Sequence, residues 1–208
     1  MKRIAVLVSG GGTNLQAVID AVESGKITNG LLALVISSKP DAYALERAAK
    51  ANIPSAVIDR RAIPDRRAFT EAVMAQLQAH DIDLVVLAGF LVVFDKILFH
   101  AYANRILNVH PALIPSFCGD GFYGLRVHEA ALAKGVKVTG ATVHFVNEIT
   151  DGGPIIAQKA VAVQEGDTPK TLQRRVMEEA EWELLPYAIN LFCNDRLTID
   201  ERQIVHIR

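Results

Sequence analysis

Residues 3–9 form a continuous apolar run that stops at Ser9-Gly10-Gly11-Gly12, after which residues 15–22 carry helical periodicity. A strand with no polar alternation is covered on both faces, which few architectures can satisfy. The same alternation then recurs. Strands are expected at 31–37, 55–59 and 84–88, with helices at 43–51 and 65–80, the second capped by Asp65. Strands separated by helices at this spacing imply an α/β fold built on a doubly wound, mostly parallel sheet with flanking helices. With 208 residues, half of them hydrophobic, the chain can bury the core of a single domain.

Later segments continue the pattern with a change of style. Residues 105–110 read as a buried strand ended by Pro111, 127–134 as a helix, and 141–146 and 155–163 as a pair joined across Asp151. A helix is expected from Asp167-Thr168-Pro169 to Leu191, bent near Pro186, and a last short strand at 197–200. This end of the chain is therefore an antiparallel and helical extension of the sheet.

Bulk properties exclude several classes. A net charge of -1 gives no electrostatic case for nucleic acid or a membrane surface. No apolar run reaches the roughly 20 residues of a membrane helix, and the opening run lacks a signal-peptide cleavage pattern. Two cysteines, Cys118 and Cys193, form no disulfide framework and fit a reducing cytoplasm. The six histidines show no metal-ligand spacing, so no metal is expected.

Two stretches carry chemistry. Strand, glycine loop and helix start place backbone N–H groups at Gly12, with the side chains of Thr13 and Asn14 beside them, where a phosphate monoester would sit. The loop is neither a Walker motif nor a dinucleotide fingerprint, and a plain tight turn is the alternative. The second stretch is Asn108-Val109-His110-Pro111. Alternation points Asn108 and His110 to one face at the strand's carboxyl end, where open α/β sheets bind ligands. An amide and an imidazole there suit a carbonyl oxygen that must become negative. Asp151, in Asp-Gly-Gly-Pro, lies far enough along the chain to return over that edge and hold the imidazole protonated. Asp-Gly between apolar runs is equally a hairpin-turn signal. Cys118 near His110 raises a Cys-His nucleophile, which a glycine-rich loop would position poorly. Residues 89–94 stay apolar after the fourth strand, either packing on the core or lining a flat ligand.

These residues resemble the folate-dependent phosphoribosylglycinamide formyltransferases of purine synthesis. The resemblance rests on VSGGGTNLQAVIDA, DLVVLAGF, LNVHPALIPSF, GLRVHEAALAKG, TGATVHFV, DGGPII and EGDTP, and covers nearly the whole chain. It implies a single Rossmann-like formyltransferase domain over 1–208, with a phosphate-binding half at 1–103 and a folate-binding and catalytic half at 104–208. The implied reaction moves the formyl group of 10-formyltetrahydrofolate, a co-substrate, to the amine of 5-phosphoribosylglycinamide. The catalytic residues would be His110, Asn108 and Asp151, with His144 behind them. Gly12, Thr13 and Asn14 would hold the ribonucleotide phosphate. Arg66, Leu91, Val92, Val93, Phe94 and Asn108 would hold the folate. The protein would be a cytoplasmic monomer or homodimer acting on small molecules.

The chain departs from the family pattern in places. Val92 stands where relatives often carry Arg, Arg126 replaces a His, and the loop at 117–123 is longer than the usual Pro-Gly form. The late helix is one residue longer before Pro186, so Glu181 is the expected ribonucleotide contact, with Glu178 and Glu179 as alternatives. Formyltransferases acting on methionyl-tRNA or amino sugars, and formyltetrahydrofolate hydrolases, usually add a further domain, for which no segment is seen here. A non-catalytic binding module would tolerate loss of Asn108, His110 or Asp151, and all three are present.

Overall fold

The computed structural model describes all 208 residues, which form two compact units, Met1–Leu107 and Asn108–Arg208. In the first, β1 (Lys2–Val8), β2 (Gly30–Ser37), β3 (Ser55–Val57) and β4 (Leu84–Leu87) alternate with α1 (Thr13–Glu23), α2 (Ala44–Lys50) and α3 (Arg66–Ala79). β1 pairs in parallel with both β2 and β4, and β2 with β3. Ile4 to Val8 are fully buried, as an all-apolar central strand requires. Asp65 caps α3 by accepting the Ala68 N–H at 2.7 Å. A short helix that the sequence pattern did not announce, α4 (Lys96–Ala101), is capped by Asp95.

β5 (Ile106–His110) runs across the division of the units, and the strand order is β3-β2-β1-β4-β5-β6-β7. In the second unit β6 (Val138–Phe145) and β7 (Ile155–Ala162) are antiparallel. β6 is buried along Thr139 to Phe145, whereas β7 alternates buried and exposed positions, as an antiparallel strand with one wet face does. α5 (Leu125–Lys134) precedes this pair. α6 (Pro169–Val176) follows it, with Thr168 as the capping residue and Pro169 in its first turn. Asp167 is left to the Arg175 guanidinium, 2.5 and 2.7 Å away.

The long late helix does not break at Pro186. Its hydrogen-bond ladder changes earlier, in a π-helical turn over Met177–Glu181, and Pro186 lies inside α7 (Trp182–Cys193). A π turn absorbs one extra residue without ending a helix. β8 (Leu197–Ile199) and β9 (Val205–Ile207) close the chain as a two-stranded antiparallel sheet, the second strand again unannounced by the sequence. No helix is long and apolar enough to cross a membrane.

Candidate active site

In the first unit the chain leaves β1 through Ser9 and three glycines. Gly12 adopts φ +71°, and a Cβ there would come within 2.7 Å of the Ala44 Cβ, so only glycine fits. Its carbonyl accepts the Gln16 N–H at 2.9 Å and starts α1. The turn thus presents Thr13 and the buried Asn14 in the first turn of α1, at the positive end of the helix dipole. Ser9 Oγ accepts the Leu91 N–H at 3.1 Å, which ties the apolar segment after β4 to the start of the same loop.

That segment divides between wall and anchor. Leu91 and Val93 are exposed and Val92 is half-buried, whereas Phe94 is buried and stacks on Phe90 at 5.2 Å with ring planes 7° apart. Arg66 donates Nε–H to the Phe94 carbonyl at 2.7 Å and a second N–H to the same oxygen. Arg66 therefore fixes the backbone at Phe94, which the sequence pattern could not show.

In the second unit Asn108 and His110 share one face of β5, as alternation requires. His110 is 4% exposed, and its Nε2–H donates to the Phe117 carbonyl at 2.8 Å. A carbonyl only accepts, so Nε2 keeps its hydrogen and Nδ1 is the nitrogen left for chemistry. Nδ1 lies 3.5 Å from Asp151 Oδ2. The same carboxylate oxygen accepts the Gly119 N–H at 2.9 Å, and Oδ1 lies 3.6 Å from His144 Nε2. His144 donates Nδ1–H to its neighbour's carbonyl, Phe145 O, at 2.8 Å, and its Nε2 stands 3.2 Å from the Asn108 amide nitrogen. Asn108, His144, Asp151 and His110 thus form one chain of contacts, with His144 and Asp151 as its inner links.

Asp151 sits in the hairpin turn, and the same turn carries its carboxylate to His110. Asp151 has φ +53°, a left-handed turn position that Asp tolerates. At Gly153 a Cβ would lie 1.8 Å from the Phe145 carbonyl, so the turn packs backbone on backbone. The β6–β7 register shifts between Val143 and His144, which re-aims His144 beside the turn.

Electrostatics correct one expectation. Burial pushes the His110 imidazole below its ordinary range, and the opposing pull of Asp151 does not restore it. His110 is therefore neutral at rest rather than held protonated. Burial also pushes Asp151 upward, but the His144 ring, the Gly119 N–H and His110 outweigh it and leave the carboxyl below its usual range, hence ionised.

A formyl transferase profile matches residues 2–189. The chain belongs to the formyl transferase family. It is 40% identical over 201 residues to a phosphoribosylglycinamide formyltransferase of Haemophilus influenzae, covering 97% of this chain and 92% of that one. Its fold is similar to a glycinamide ribonucleotide transformylase of Symbiobacterium toebii, with a TM-score of 0.93, 47% identity, and 100% and 94% of the two chains covered. It is also similar to a formyltetrahydrofolate deformylase of Pseudomonas syringae, with a TM-score of 0.89 and 25% identity, covering 99% of this chain and 65% of that one.

Two further positions of this formyl transferase bear on the sequence reading. Glu181 closes the π turn and is 6% exposed, whereas Glu178 is spent on Arg174 at 2.7 Å and Glu179 is exposed. The extra helical residue thus leaves Glu181 as the buried acid of the three. Cys118 donates Sγ–H to the Pro115 carbonyl at 3.3 Å, and burial together with Asp151 pushes its thiol up, away from the thiolate a nucleophile needs.

Sequence reasoning missed three groups. The Phe117 carbonyl and the Gly119 N–H are backbone atoms that no side-chain pattern reports. His128, on α5, is fully buried with neither ring nitrogen hydrogen-bonded, and burial, with His110 nearby, pushes it down to about 4. A single His on an apolar helix face carries no signal that separates it from ordinary core.

Proposed function

We propose that this formyl transferase moves the formyl group of 10-formyltetrahydrofolate to the amine of 5-phosphoribosylglycinamide, giving 5-phosphoribosyl-N-formylglycinamide and tetrahydrofolate in purine synthesis. The observation that carries the proposal is the division of labour on His110. Its Nε2 is committed to the Phe117 carbonyl, and its Nδ1 faces the Asp151 carboxylate.

The amine attacks the formyl carbon, and the carbonyl oxygen becomes negative. Neutral His110 has no free N–H to offer that oxygen, so the donor is the imidazolium, protonated at Nδ1. Two negative charges then flank Nδ1, the Asp151 carboxylate and the new oxyanion, and together they favour the proton that burial alone opposes. Asn108 turns one N–H toward His144 and keeps the other for the same oxygen. Each such preorganised donor is typically worth about 3 kcal/mol by mutational loss. Holding both substrates in place contributes up to roughly 7–11 kcal/mol in favourable cases. The proton that charges Nδ1 comes from the attacking amine through Asp151. As the intermediate collapses, the C–N bond to folate N10 breaks, the oxyanion re-forms the carbonyl, and His110 passes that proton back through Asp151 to the folate nitrogen. No formyl-enzyme forms.

In this reading Gly12, Thr13 and Asn14 hold the ribonucleotide phosphate, and Glu181 takes its glycinamide end. Leu91, Val92 and Val93 flank the folate, on a backbone anchored by Arg66 and Phe94. Residues 1–103 supply the phosphate-binding half and 104–208 the folate-binding and catalytic half of one domain. Cys118 and Cys193 form no disulfide, which suits the cytoplasm. The deciding experiment supplies 10-formyltetrahydrofolate with either 5-phosphoribosylglycinamide or water as acceptor. Tetrahydrofolate released only with the ribonucleotide supports the proposal. Formate released at the same rate without it identifies a deformylase.

A further inference from the structure

Arg47, on α2, holds the glycine loop from outside. Its Nε–H donates to the Gly11 carbonyl at 2.8 Å, and its Nη1–H to Gln16 Oε1 at 2.9 Å. Gly11 precedes the sharp turn at Gly12, and Gln16 lies in the helix just beyond it. One planar guanidinium therefore joins the two limbs of the turn. The contact is reinforced from its own helix: the Ala44 N–H donates to the Gly10 carbonyl at 3.2 Å, and Gly12 lies against the Ala44 side chain. Arg47 itself lies over the Tyr43 ring, 5.0 Å from its centroid.

Both oxygens that Arg47 meets are neutral. A guanidinium satisfied by carboxylates would be a structural ion pair, whereas this one keeps its charge beside the loop. We infer that Arg47 is the positioning residue of the phosphate site: tying Gly11 to Gln16, it sets the curve that aims the leading N–H groups of α1 at a phosphate monoester and adds a fixed positive charge alongside. The inference rests on the phosphate reading of the loop given above. Only a fork of donors spans both acceptors, so lysine keeps the charge and loses the tie.

The test measures KM for 5-phosphoribosylglycinamide, kcat, and competitive inhibition by inorganic phosphate. For Arg47→Met, loss of a charged hydrogen-bonding group is expected to raise KM and weaken phosphate inhibition about tenfold each, with kcat and the KM for 10-formyltetrahydrofolate within about twofold. For Arg47→Lys, which preserves charge and stem, both rises are expected to be about threefold. An equal fall of kcat with no KM change would mark a merely structural residue and overturn the inference. So would unchanged KM and phosphate inhibition in either variant while Asn14→Ala weakens both, leaving the phosphate reading intact. If Asn14→Ala moves neither quantity, the phosphate reading falls and Arg47 with it. Should Arg47→Met fail to fold, Arg47→Lys alone decides.

Discussion

The loop after β1 and the loop after β5 begin alike, at the carboxyl end of a buried strand, yet they prepare their ligands differently. The first is short, and its shape is set by backbone contact: Gly12 against Ala44 and a guanidinium across Gly11 and Gln16. The second is long, and its backbone is spent on side chains: Phe117 O holds one nitrogen of His110 and the Gly119 N–H holds Asp151. A preset cradle suits a charge that substrate brings with it. A clasp on His110 and Asp151, the proposed catalytic pair, suits a charge that exists only while the reaction passes its barrier, because tautomer and orientation must be fixed beforehand.

The contrast breaks first at the second loop. His110→Ala and Asp151→Asn are each expected to lower kcat by about 10³-fold, the range for loss of a positioned donor or general acid, with the ribonucleotide KM changed little. Steady-state kinetics checks this, and a variant retaining kcat removes its residue from the mechanism.

The next effect is on stability, at His128 on the helix that follows the second loop. Its imidazole titrates at about 4 in the folded protein against 6.5 when unfolded. Between those values the unfolded chain binds more protons, so stability is lost as pH falls from 6.5 toward 4 and is flat above 6.5. The loss amounts to about 3 kcal/mol, and His128→Gln should remove most of it. Denaturant melts at neutral and acid pH test this; parallel losses in the two proteins would place the acid sensitivity elsewhere.

At the first loop Gly12→Ala forces a side chain into a left-handed position already filled by Ala44. Strain of this kind costs about 1–3 kcal/mol and should raise the ribonucleotide KM about tenfold or more while sparing kcat. An unchanged KM would show that the cradle does not depend on its curvature. The smallest effect is expected at Cys118→Ala, whose kcat should stay within about twofold because no step uses the thiol and its bond to Pro115 is a weak one. Loss of activity there would reopen covalent transfer.

Much of this was legible in the sequence for physical reasons. Fully covered strands such as β1 announce themselves because no polar residue interrupts them, and Asp65, Thr168 and Pro169 mark helix starts by chemistry that operates within one turn. Asn108 and His110 were paired by strand alternation, and the Asp151 turn brought its carboxylate to the imidazole, as expected. Longer-range consequences were not legible. The sign of the His110 shift depends on how much protein surrounds the ring, and burial defeats the carboxylate that sequence reasoning weighed alone. Phe117 and Gly119 act through backbone atoms common to every residue. Arg66 and Arg47 read as ordinary helix-surface cations until the fold supplies the carbonyls they grip. The extra residue before Pro186 was visible, but its absorption into a π turn, with Glu181 buried at the end of it, depends on packing that no local pattern reports.

The central claim is that His110 rests neutral on Nε2–H and becomes doubly protonated only when negative charge develops beside Nδ1. Nitrogen-15 NMR of the labelled ring tests it directly, first in the free protein and then with the ribonucleotide and a ketone analogue of the formyl donor that hydrates to a tetrahedral species. The account predicts a hydrogen on Nε2 alone in the free protein and on both nitrogens in the complex, with Asp151→Asn abolishing the second protonation. A bare Nδ1 in the complex, or a ring already doubly protonated at neutral pH without ligand, would contradict it.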